Sequence, residues 1–235
     1  MKSSLFTIAI LIIFLISSCT VQQELLVKSD FSGTASGKVE LHPVFADYLS
    51  SFSEITGGGP EFSFNLEEIR EGLEKGPGTR VNSLVSTKPE ELSFAISYTS
   101  LENLLSQEPG VSQSGLIRLS REGDIKKMSI YLDRGNYPAL VKLIPALDNP
   151  LFSALGPLEN KGISEEEYLE MMEYALGEEG PDLIKKSTVS MAVKVTGTVT
   201  NQRGGRKISG GVEFAIPLIR ILLLDKPIDL YVEFK

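Results

Sequence analysis

The sequence predicts an α+β fold, with a mostly antiparallel, one-faced β-sheet and helices packed on one side of it. Two observations lead to this class. Apolar and polar residues alternate with a period of two in about nine segments, which is typical of strands that bury one face. Between them lie stretches with helical spacing and helix-capping residues. Helices segregated to one face of an antiparallel sheet make up the α+β class.

Residues 1–18 have the order of an export signal, which predicts that they are removed as a signal peptide. Lys2 supplies the positive end, Leu5–Ile16 is apolar except for Thr7, and two serines follow. As a helix, an apolar run of this length spans roughly 18 Å, whereas a bilayer core is about 30 Å thick. The run is therefore too short for a comfortable permanent span.

Cys19 is the single cysteine of the chain, and it ends the stretch "LISSC". This stretch resembles the bacterial lipobox, which implies a diacylglycerol thioether on Cys19, cleavage before it and often a further acyl chain such as palmitate on its amine. Two acyl chains give a stable membrane anchor. An ordinary secretory signal with an incidental cysteine, or a short uncleaved anchor, is the alternative. A chain with one cysteine forms no intramolecular disulfide.

The predicted mature chain consists of a short tether at residues 19–24 and a single α+β domain at residues 25–235. A tether of this length reaches less than ~20 Å, so the domain is expected to lie close to the membrane. The localisation that follows is the bacterial cell envelope, outside the cytoplasm and lipid-anchored, with the inner and outer membranes both left open.

Charge is unevenly distributed along the chain, which has a net charge of −8. Residues 159–182 carry nine acidic residues and one lysine, and we interpret this segment as an acidic helical insertion. Residues 183–212 carry six basic residues and no acidic one. An acidic protein is a poor match for nucleic acid, which attracts clustered cations, so no nucleic-acid partner is predicted.

The alternation assigns the strands in order, and the last third of the chain shows it most clearly. Strands are predicted over Val189–Val199, Ile208–Ile216 and Ile228–Phe234, with a turn at Asn201–Lys207. Leu218–Leu224 is short and nearly all apolar, so periodicity assigns it neither to a helix nor to a strand. Earlier strands are marked by these apolar residues: Leu25, Val27, Phe31; Ala35, Val39, Leu41; Val81, Val85; Leu92, Phe94, Ile96, Tyr98; Ile117, Leu119; Met128, Ile130, Leu132.

Helices are predicted between these strands from capping residues and helical spacing. Pro43 is suited to a first helical position, and Asn65 and Ser164 each precede a glutamate by three residues, as in a capping box. The predicted helices begin and end near Pro43–Gly57, Asn65–Gly76, Ser100–Leu105, Leu140–Leu147 (bent at Pro145) and Ser164–Leu176.

No catalytic residue, metal ligand or cofactor site is predicted. His42, the single histidine, stands at a strand–helix junction and is interpreted as a helix-entry or surface residue. A serine triad would need it together with a nucleophile motif, and Gly-x-Ser-x-Gly, Ser-x-x-Lys, Walker and dinucleotide motifs are absent. The glutamates at 165–173 lack EF-hand spacing and are interpreted as a solvated helix face.

The basic residues of the predicted turn, Arg203, Arg206 and Lys207, are the remaining candidate site. They surround Gly204 and Gly205, so the sequence predicts them at a hairpin tip. Such a tip could contact anionic lipid headgroups or a protein partner, since each basic residue near an anionic surface adds ~1 kcal/mol. A soluble hairpin end is the other interpretation.

Three stretches resemble the LppM family of bacterial envelope lipoproteins. They are the segment after the lipobox cysteine (Glu24–Leu49), "EELSFAISYTSLENLL" (Glu90–Leu105) and the strand, turn and returning strand over Val193–Leu218. Together they cover about a third of the mature chain. The resemblance implies a mixed α/β domain comparable to lipid-binding proteins, with envelope lipids as ligands, and it transfers no binding residue.

The function expected from the sequence is that of a non-enzymatic, lipid-anchored envelope lipoprotein that binds a lipid or another apolar ligand. The one-faced strands with helices between them motivate it, because a curved sheet closed by helices can leave an apolar cleft. The alternative is a structural or protein-interaction module of the envelope, with the opposite charges of neighbouring segments guiding a partner. A carboxylate-based hydrolase is a third hypothesis, because fold does not determine function.

Overall fold

The computed structural model describes residues 21–55, 63–106, 109–143 and 150–235. It confirms an α+β protein, with strands and helices interleaved along the chain. The strands are β1 Val21–Val27, β2 Gly33–Glu40, β3 Thr79–Val85, β4 Glu91–Tyr98, β5 Ile117–Glu122, β6 Ile125–Leu132, β7 Thr188–Val195, β8 Val199–Arg203, β9 Arg206–Ile208, β10 Gly211–Pro217 and β11 Ile228–Phe234. The helices are α1 Pro43–Ile55, α2 Leu66–Glu74, α3 Leu101–Ser106, α4 Pro109–Ser112, α5 Tyr137–Leu143, α6 Pro150–Leu155, α7 Glu165–Leu176, α8 Gly180–Lys186 and α9 Leu218–Leu223.

The strands form two sheets rather than the single sheet that the sequence predicts. Sheet A has seven strands in the order β3-β4-β2-β1-β7-β10-β9, and sheet B has four in the order β5-β6-β11-β8. Sheet B is antiparallel throughout. Sheet A is mixed, because β1 and β7 run parallel with Val21 beside Val189 and Val27 beside Val195. The prediction of a mostly antiparallel sheet therefore needs correcting at the centre of sheet A.

The chain passes between the two sheets at the turn from β8 to β9, which is not the hairpin that the sequence predicts because the two strands lie in different sheets. β8 pairs with β11 in sheet B, while β9 pairs with β10 in sheet A, so one tight turn at Gly204–Gly205 joins an edge of each sheet. Gly204 has a φ of 80°, which favours glycine, and a Cβ there would lie 2.5 Å from the carbonyl oxygen of Asp229. This turn holds the two sheet edges close together.

The alternating strands direct their apolar residues into one shared cluster, which we call the inter-sheet core. Val193, Val212 and Phe214 enter it from sheet A, and Val232 and Phe234 enter it from sheet B; all are nearly fully buried. Side chains from α2, α3, α4 and α5 complete it. Alternation with a period of two is what lets each strand bury one face in this core and expose the other.

Helices α2, α3 and α7 begin directly after the capping residues that the sequence predicts, whereas α5 begins at Tyr137, before the predicted Leu140. The Ser164 hydroxyl accepts a hydrogen bond from the Glu167 amide (3.2 Å), and the Glu167 carboxylate accepts one from the Ser164 amide (2.8 Å), which completes the capping box of α7. Asn65 caps α2 through the Glu68 amide (3.2 Å), and Ser100 precedes α3 and accepts from the Asn103 amide (3.1 Å). Pro145, the predicted bend, lies outside the described residues.

A second apolar cluster, which we call the helical cluster, is built without strands. Tyr168, Leu169 and Met172 of α7 pack there with Ile184 of α8 and with one face of α9. Val44, Phe45 and Tyr48 of α1 pack against them. The acidic segment thus forms two helices that are anchored by buried apolar side chains while their glutamates remain exposed.

Helix α9 joins the two clusters, and it resolves the ambiguous stretch Leu218–Leu224. Leu218, Ile219, Leu222 and Leu223 lie in the helical cluster, whereas Ile221 and Leu224 lie in the inter-sheet core. Because opposite faces of this helix are both buried, its sequence is apolar at every position except the exposed Arg220 and shows no clear period.

Candidate functional site

An apolar cavity between the two sheets is the candidate functional site, and we call it the inter-sheet cavity. Sheet A and sheet B form opposite walls, and side chains near α5 and on α9 close one side. The lining residues are Gln23, Leu116, Ile117, Ile130, Leu132, Leu140, Val189, Met191, Ile216, Ile221, Ile228 and Leu230. Eleven of these twelve are apolar, which is the wall composition expected of a site for an apolar ligand.

The sheet A wall depends on the parallel pairing of β1 with β7. That register places Gln23 beside Met191, and the β7–β10 pairing places Val189 beside Ile216. Direct cross-strand neighbours point to the same face of a sheet. Gln23 also has the same parity as Leu25 and Val27, which are buried in the inter-sheet core. Gln23 therefore faces inward from β1, the middle strand of sheet A.

The sheet B wall is a row of three apolar residues on adjacent strands. Ile117 of β5 lies opposite Ile130 of β6, and Ile130 lies opposite Leu230 of β11. Leu132 and Ile228 form the next directly opposed pair on the inward face. The wall is thus continuous over three strands and carries no polar side chain among the lining residues that the structure describes.

The cavity is narrow. It encloses about 600 Å³ when the part open to solvent is counted, yet only about 50 Å³ of it can hold the centre of a water-sized molecule. A cavity that admits benzene measures about 150 Å³, whereas one water needs about 10–15 Å³. The water-accessible space of this slot is therefore about a third of that of a benzene-sized cavity, and a larger ligand enters only if the lining side chains move apart.

Gln23 supplies the single polar side chain of the lining, and its side-chain amide nitrogen has no hydrogen-bond partner. Nε2 is buried, and it belongs to a group of three buried side-chain atoms in the described residues that lack a partner. The other two, Thr79 Oγ1 and Arg134 Nε, do not line the cavity. A buried donor without an acceptor costs roughly 1–3 kcal/mol, so its presence in this slot calls for a physical explanation.

Ionisable groups with shifted pKa values lie elsewhere, and no lining residue of the cavity is acidic or basic. Burial raises the pKa of Tyr137 to about 12. The pKa of Glu91 is lowered to about 2 by its contacts with Lys88, Thr87 and Lys38. Within the described ranges, no group of three or more His, Cys, Asp or Glu residues is arranged to hold a metal ion.

The three basic residues predicted at a hairpin tip lie on strands β8 and β9, which are joined by a turn at Gly204–Gly205 that is shorter than the predicted turn Asn201–Lys207. Arg203 ends β8 and forms an ion pair with Asp229 (3.1 Å), with its guanidinium 5.9 Å from the Tyr231 ring centre. Arg206 begins β9 and pairs with Glu213, and Lys207 Nζ lies 3.5 Å from the Val199 carbonyl oxygen. All three are exposed, although each has a protein contact.

His42 and the acidic segment occupy the places that the sequence predicts for them. The imidazole Nδ1 of His42 lies 3.4 Å from the Val44 amide at the start of α1, as a helix-entry residue would. On α7, Tyr174 is 98% exposed and Met171 is 43% exposed, although neither residue was singled out in the sequence. Cys19 and the rest of the predicted signal lie outside the described residues.

Gln23 and the cavity itself were missed in the sequence. The first strand was expected to begin near Leu25, but β1 begins at Val21, so residues assigned to the tether belong to sheet A. The available signal was parity: Gln23 is two residues before Leu25 and must share its inward face if the strand extends that far. The lining otherwise comes from strands far apart in the chain.

Comparisons with known proteins give one structural likeness. No family model matches the chain, and no curated protein matches it. Among solved structures, it is similar to the folded domain of LppM from Mycobacterium tuberculosis, determined by NMR, with a TM-score of 0.42 and 11% identity over 93% of this chain and 90% of that one. An alignment of this quality does not establish membership in the family.

Proposed function

We propose that this protein is a non-enzymatic lipoprotein of the bacterial cell envelope, anchored to a membrane through acyl chains on Cys19, and that it binds a lipid or another apolar ligand between its two sheets. The observation that carries the binding proposal is the inter-sheet cavity, a narrow slot with eleven apolar lining residues. The lipobox-like stretch before Cys19 supports the anchor. In the described ranges, no helix is both long and apolar enough to cross a bilayer.

The absence of acidic and basic residues from the lining supports a binding role at this site over a catalytic one. General acid–base catalysis needs a titratable group within hydrogen-bond reach of the reacting atoms. The cavity offers a neutral amide and hydrocarbon, which can hold a ligand and orient it. The lowered pKa values of Glu91 and Asp182 are accounted for by contacts with lysines and that of Glu167 by its helix-capping contacts with Ser164, and none of these residues lines the cavity.

The anchor and the binding are tested separately. For the anchor, the full chain and Cys19→Ser are each expressed in the presence of a labelled palmitate analogue. We expect the full chain to incorporate the label and to fractionate with membranes. We expect Cys19→Ser to do neither. For the binding, native mass spectrometry of the gently extracted full chain is expected to show a co-purified lipid, and added acyl lipid is expected to raise its Tm. Lack of both a lipid and a Tm shift would refute the binding proposal.

Contact with anionic headgroups at Arg203, Arg206 and Lys207 is a further part of this proposal. The arginine side chains are 65% and 77% exposed, and their partners are surface carboxylates. Exposed ion pairs contribute only about 0–1 kcal/mol, so exchange of a carboxylate for a lipid phosphate costs little. Replacing all three with serine should reduce sedimentation of the Cys19→Ser chain with anionic liposomes. Unchanged sedimentation would refute the proposed contact with anionic headgroups.

A protein-interaction module is the second candidate, and the outer face of α7 favours it. Tyr174 and Met171 lie three residues apart on that helix and are exposed among glutamates. Exposed aromatic and methionine side chains are enriched in protein interfaces. Crosslinking in intact cells should then give a dominant protein adduct that is lost with Tyr174→Ala.

A further inference from the structure

The unpartnered amide of Gln23 identifies the polar feature that a ligand of the cavity must carry. Its Nε2 atom is buried in a slot whose other lining side chains are apolar, and it stands on the middle strand of the larger sheet. The Tyr98 hydroxyl, which is buried in the inter-sheet core, donates to the Leu26 carbonyl oxygen over 2.7 Å. Thr79 Oγ1 and Arg134 Nε also lack a partner, but neither residue lines the cavity. Among the lining residues, Gln23 therefore carries the unsatisfied donor, and a bound acceptor would satisfy it.

Water is a poor candidate for that acceptor. The slot has more than the roughly 10–15 Å³ that one water requires, but a buried water is held by about two to four polar partners. Among the lining side chains that the structure describes, Gln23 is the single strongly polar one. A molecule that satisfies both the amide and the hydrocarbon walls must combine an acceptor oxygen with an apolar body.

We propose that the inter-sheet cavity binds an unbranched acyl chain and that Gln23 Nε2 donates a hydrogen bond to the carbonyl oxygen of its ester or carboxyl group. This inference rests on the proposed function and deepens it by assigning the ligand class and the residue that recognises it. An unbranched chain is the thinnest apolar body, so it needs the least displacement of the lining side chains in a cavity whose water-accessible space, about 50 Å³, is a third of that of a benzene-sized cavity.

The partly exposed residues of the lining indicate how the chain lies. Four of the twelve lining residues are partly exposed: Gln23, Ile117, Ile130 and Met191. The other eight, which include Leu140 of α5 and Ile221 of α9, are buried. The carbonyl group is thus placed at the open side and the tail is directed toward α5 and α9. Met191 is flexible and unbranched, so it can move aside for longer chains.

Two sources can supply the same acyl carbonyl chemistry: a membrane lipid, or the acyl groups attached to Cys19 itself. Gln23 is four residues from Cys19, so their Cα atoms are at most about 14 Å apart. An acyl group on Cys19 is thus within reach of the open side of the cavity. The acylated chain and Cys19→Ser distinguish the two sources.

The experiment compares methyl hexanoate with octane, two linear probes of equal chain length of which only the first has a carbonyl. Each probe is added to three proteins: the Cys19→Ser variant, and the same variant with Gln23→Leu or with Gln22→Leu as a second substitution. Gln22 is the matched control, because it is the preceding residue of β1 and is exposed. Affinity is measured by titration, and the side-chain amide NMR signal of Gln23 is followed directly.

We expect the ester-to-alkane affinity ratio to be about tenfold higher with Gln23 than in Gln23→Leu. The ratio reports the hydrogen bond because octane is the more hydrophobic probe and leaves water more readily than the ester does. The ester should also shift the Gln23 amide signal, which octane should not do. Gln23→Leu should raise the Tm of the empty protein by about 2–4 °C, since it removes a buried unpaired donor. Gln22→Leu should keep the parent's affinity ratio. If the ester binds only Cys19→Ser and not the acylated chain, the ligand is the protein's own acyl group; if both bind it, the ligand is a separate lipid.

An ester-to-alkane affinity ratio that is the same with Gln23 and in Gln23→Leu, with no amide shift, would overturn the role of Gln23 while leaving the binding of apolar ligands intact. Binding of neither probe in any variant would overturn the acyl-chain assignment, and the lipid search by native mass spectrometry would then decide whether the broader proposal also fails. Preferential binding of the ester to Gln23→Leu would contradict the hydrogen bond directly.

Discussion

The inter-sheet core and the helical cluster differ in how they treat their polar groups. In and around the helical cluster, the Tyr168 hydroxyl donates to the Leu155 carbonyl oxygen (2.8 Å), and the Asn160 amide donates to the carbonyl oxygens of Gly156 (2.8 Å) and Ala154 (3.1 Å). In the inter-sheet core, Gln23 Nε2 faces a slot without a partner. Unsatisfied groups and voids lower stability, so proteins tend to retain them where a ligand or a reaction uses them.

The two regions also differ in how completely their interiors are filled. The helical cluster is formed by α1, α7, α8 and α9, and its buried polar groups named above are satisfied within the cluster and the adjoining α6–α7 segment. The inter-sheet core is larger but leaves a cavity along its sheets. Because α9 contributes side chains to both, unfolding of one cluster is expected to affect the other.

The largest expected effect is the loss of Tyr168 from the helical cluster. Tyr168 is fully buried, so Tyr168→Ala removes a large side chain and the hydrogen bond of its hydroxyl from the helical cluster. We expect a loss of about 3–5 kcal/mol in the free energy of unfolding, measured by urea denaturation. Tyr174→Ala on the same helix is the matched control, and its effect should be within about 0.5 kcal/mol because that side chain is 98% exposed.

Two results would contradict this description of the helical cluster and of its coupling to the inter-sheet core. A loss of under about 1 kcal/mol for Tyr168→Ala would show that the helical cluster is loosely packed and can collapse around the missing side chain. Two separate urea transitions, with only one moved by the substitution, would show that α9 does not couple the clusters.

An intermediate effect is expected from adding one methylene group to each of two valines on β7. Val189 lines the cavity, whereas Val193 is fully buried in the same core and does not line it. Val193→Ile overpacks a filled site and should cost about 1–3 kcal/mol. Val189→Ile can extend into existing space, so its effect on the free energy of unfolding should be near zero or stabilising, by up to about 1 kcal/mol.

This pair also bears on ligand binding, because a filled slot has less room for a chain. Val189→Ile should therefore weaken the binding of methyl hexanoate, while Val193→Ile should leave its affinity unchanged in the molecules that remain folded. Equal destabilisation by the two substitutions would mean that the inter-sheet core is as tightly packed at Val189 as at Val193, and the distinction between the two clusters would disappear.

The sequence predicts elements that bury one face and fails for those buried on two. Strands β4, β7, β10 and β11 alternate clearly because one side of each faces the core. Helix α9 could not be assigned, because neighbours on both sides make every position except Arg220 apolar. Local pattern also contains no information on which strands pair, so neither the parallel β1–β7 contact nor the division into two sheets could be predicted.

The candidate site escaped prediction for the same reason. Its lining comes from β1, β5, β6, β7, β10, β11 and two helices, so no short motif can encode it. Gln23 alone carried a local signal, through its parity with Leu25 and Val27, but that signal is meaningful only once β1 is known to begin at Val21. The basic residues around Gly204 were visible because charge clusters are local features; their ion pairs with Asp229 and Glu213 were not.

The smallest expected effect on stability concerns Glu91, a buried polar residue on sheet A whose carboxylate, unlike the amide nitrogen of Gln23, has hydrogen-bond and ion-pair partners. Its carboxylate lies 2.7 Å from Lys88 Nζ and 3.4 Å from Lys38 Nζ, and it accepts a hydrogen bond from the Thr87 hydroxyl (2.9 Å). These contacts, the one with Lys88 foremost, lower its pKa from 4.5 to about 2. Both lysines are about half exposed or more, so we expect a modest contribution to stability.

The sign of the pH dependence follows from that lowered pKa. Because the folded protein holds this carboxyl ionised more strongly than the unfolded chain does, the contribution is fully present above a pH of about 4.5 and is lost as the pH falls toward 2. Glu91→Gln should therefore be less stable than the parent at neutral pH, and the difference should vanish near pH 2 when urea unfolding is followed across this range. Lys88→Gln should lose only part of the pH dependence that Glu91→Gln loses, because the contacts of Glu91 with Thr87 and Lys38 remain. A difference that persists unchanged at pH 2 would show that the glutamine disturbs packing at the start of β4 and that the ion pairs at Glu91 contribute nothing measurable.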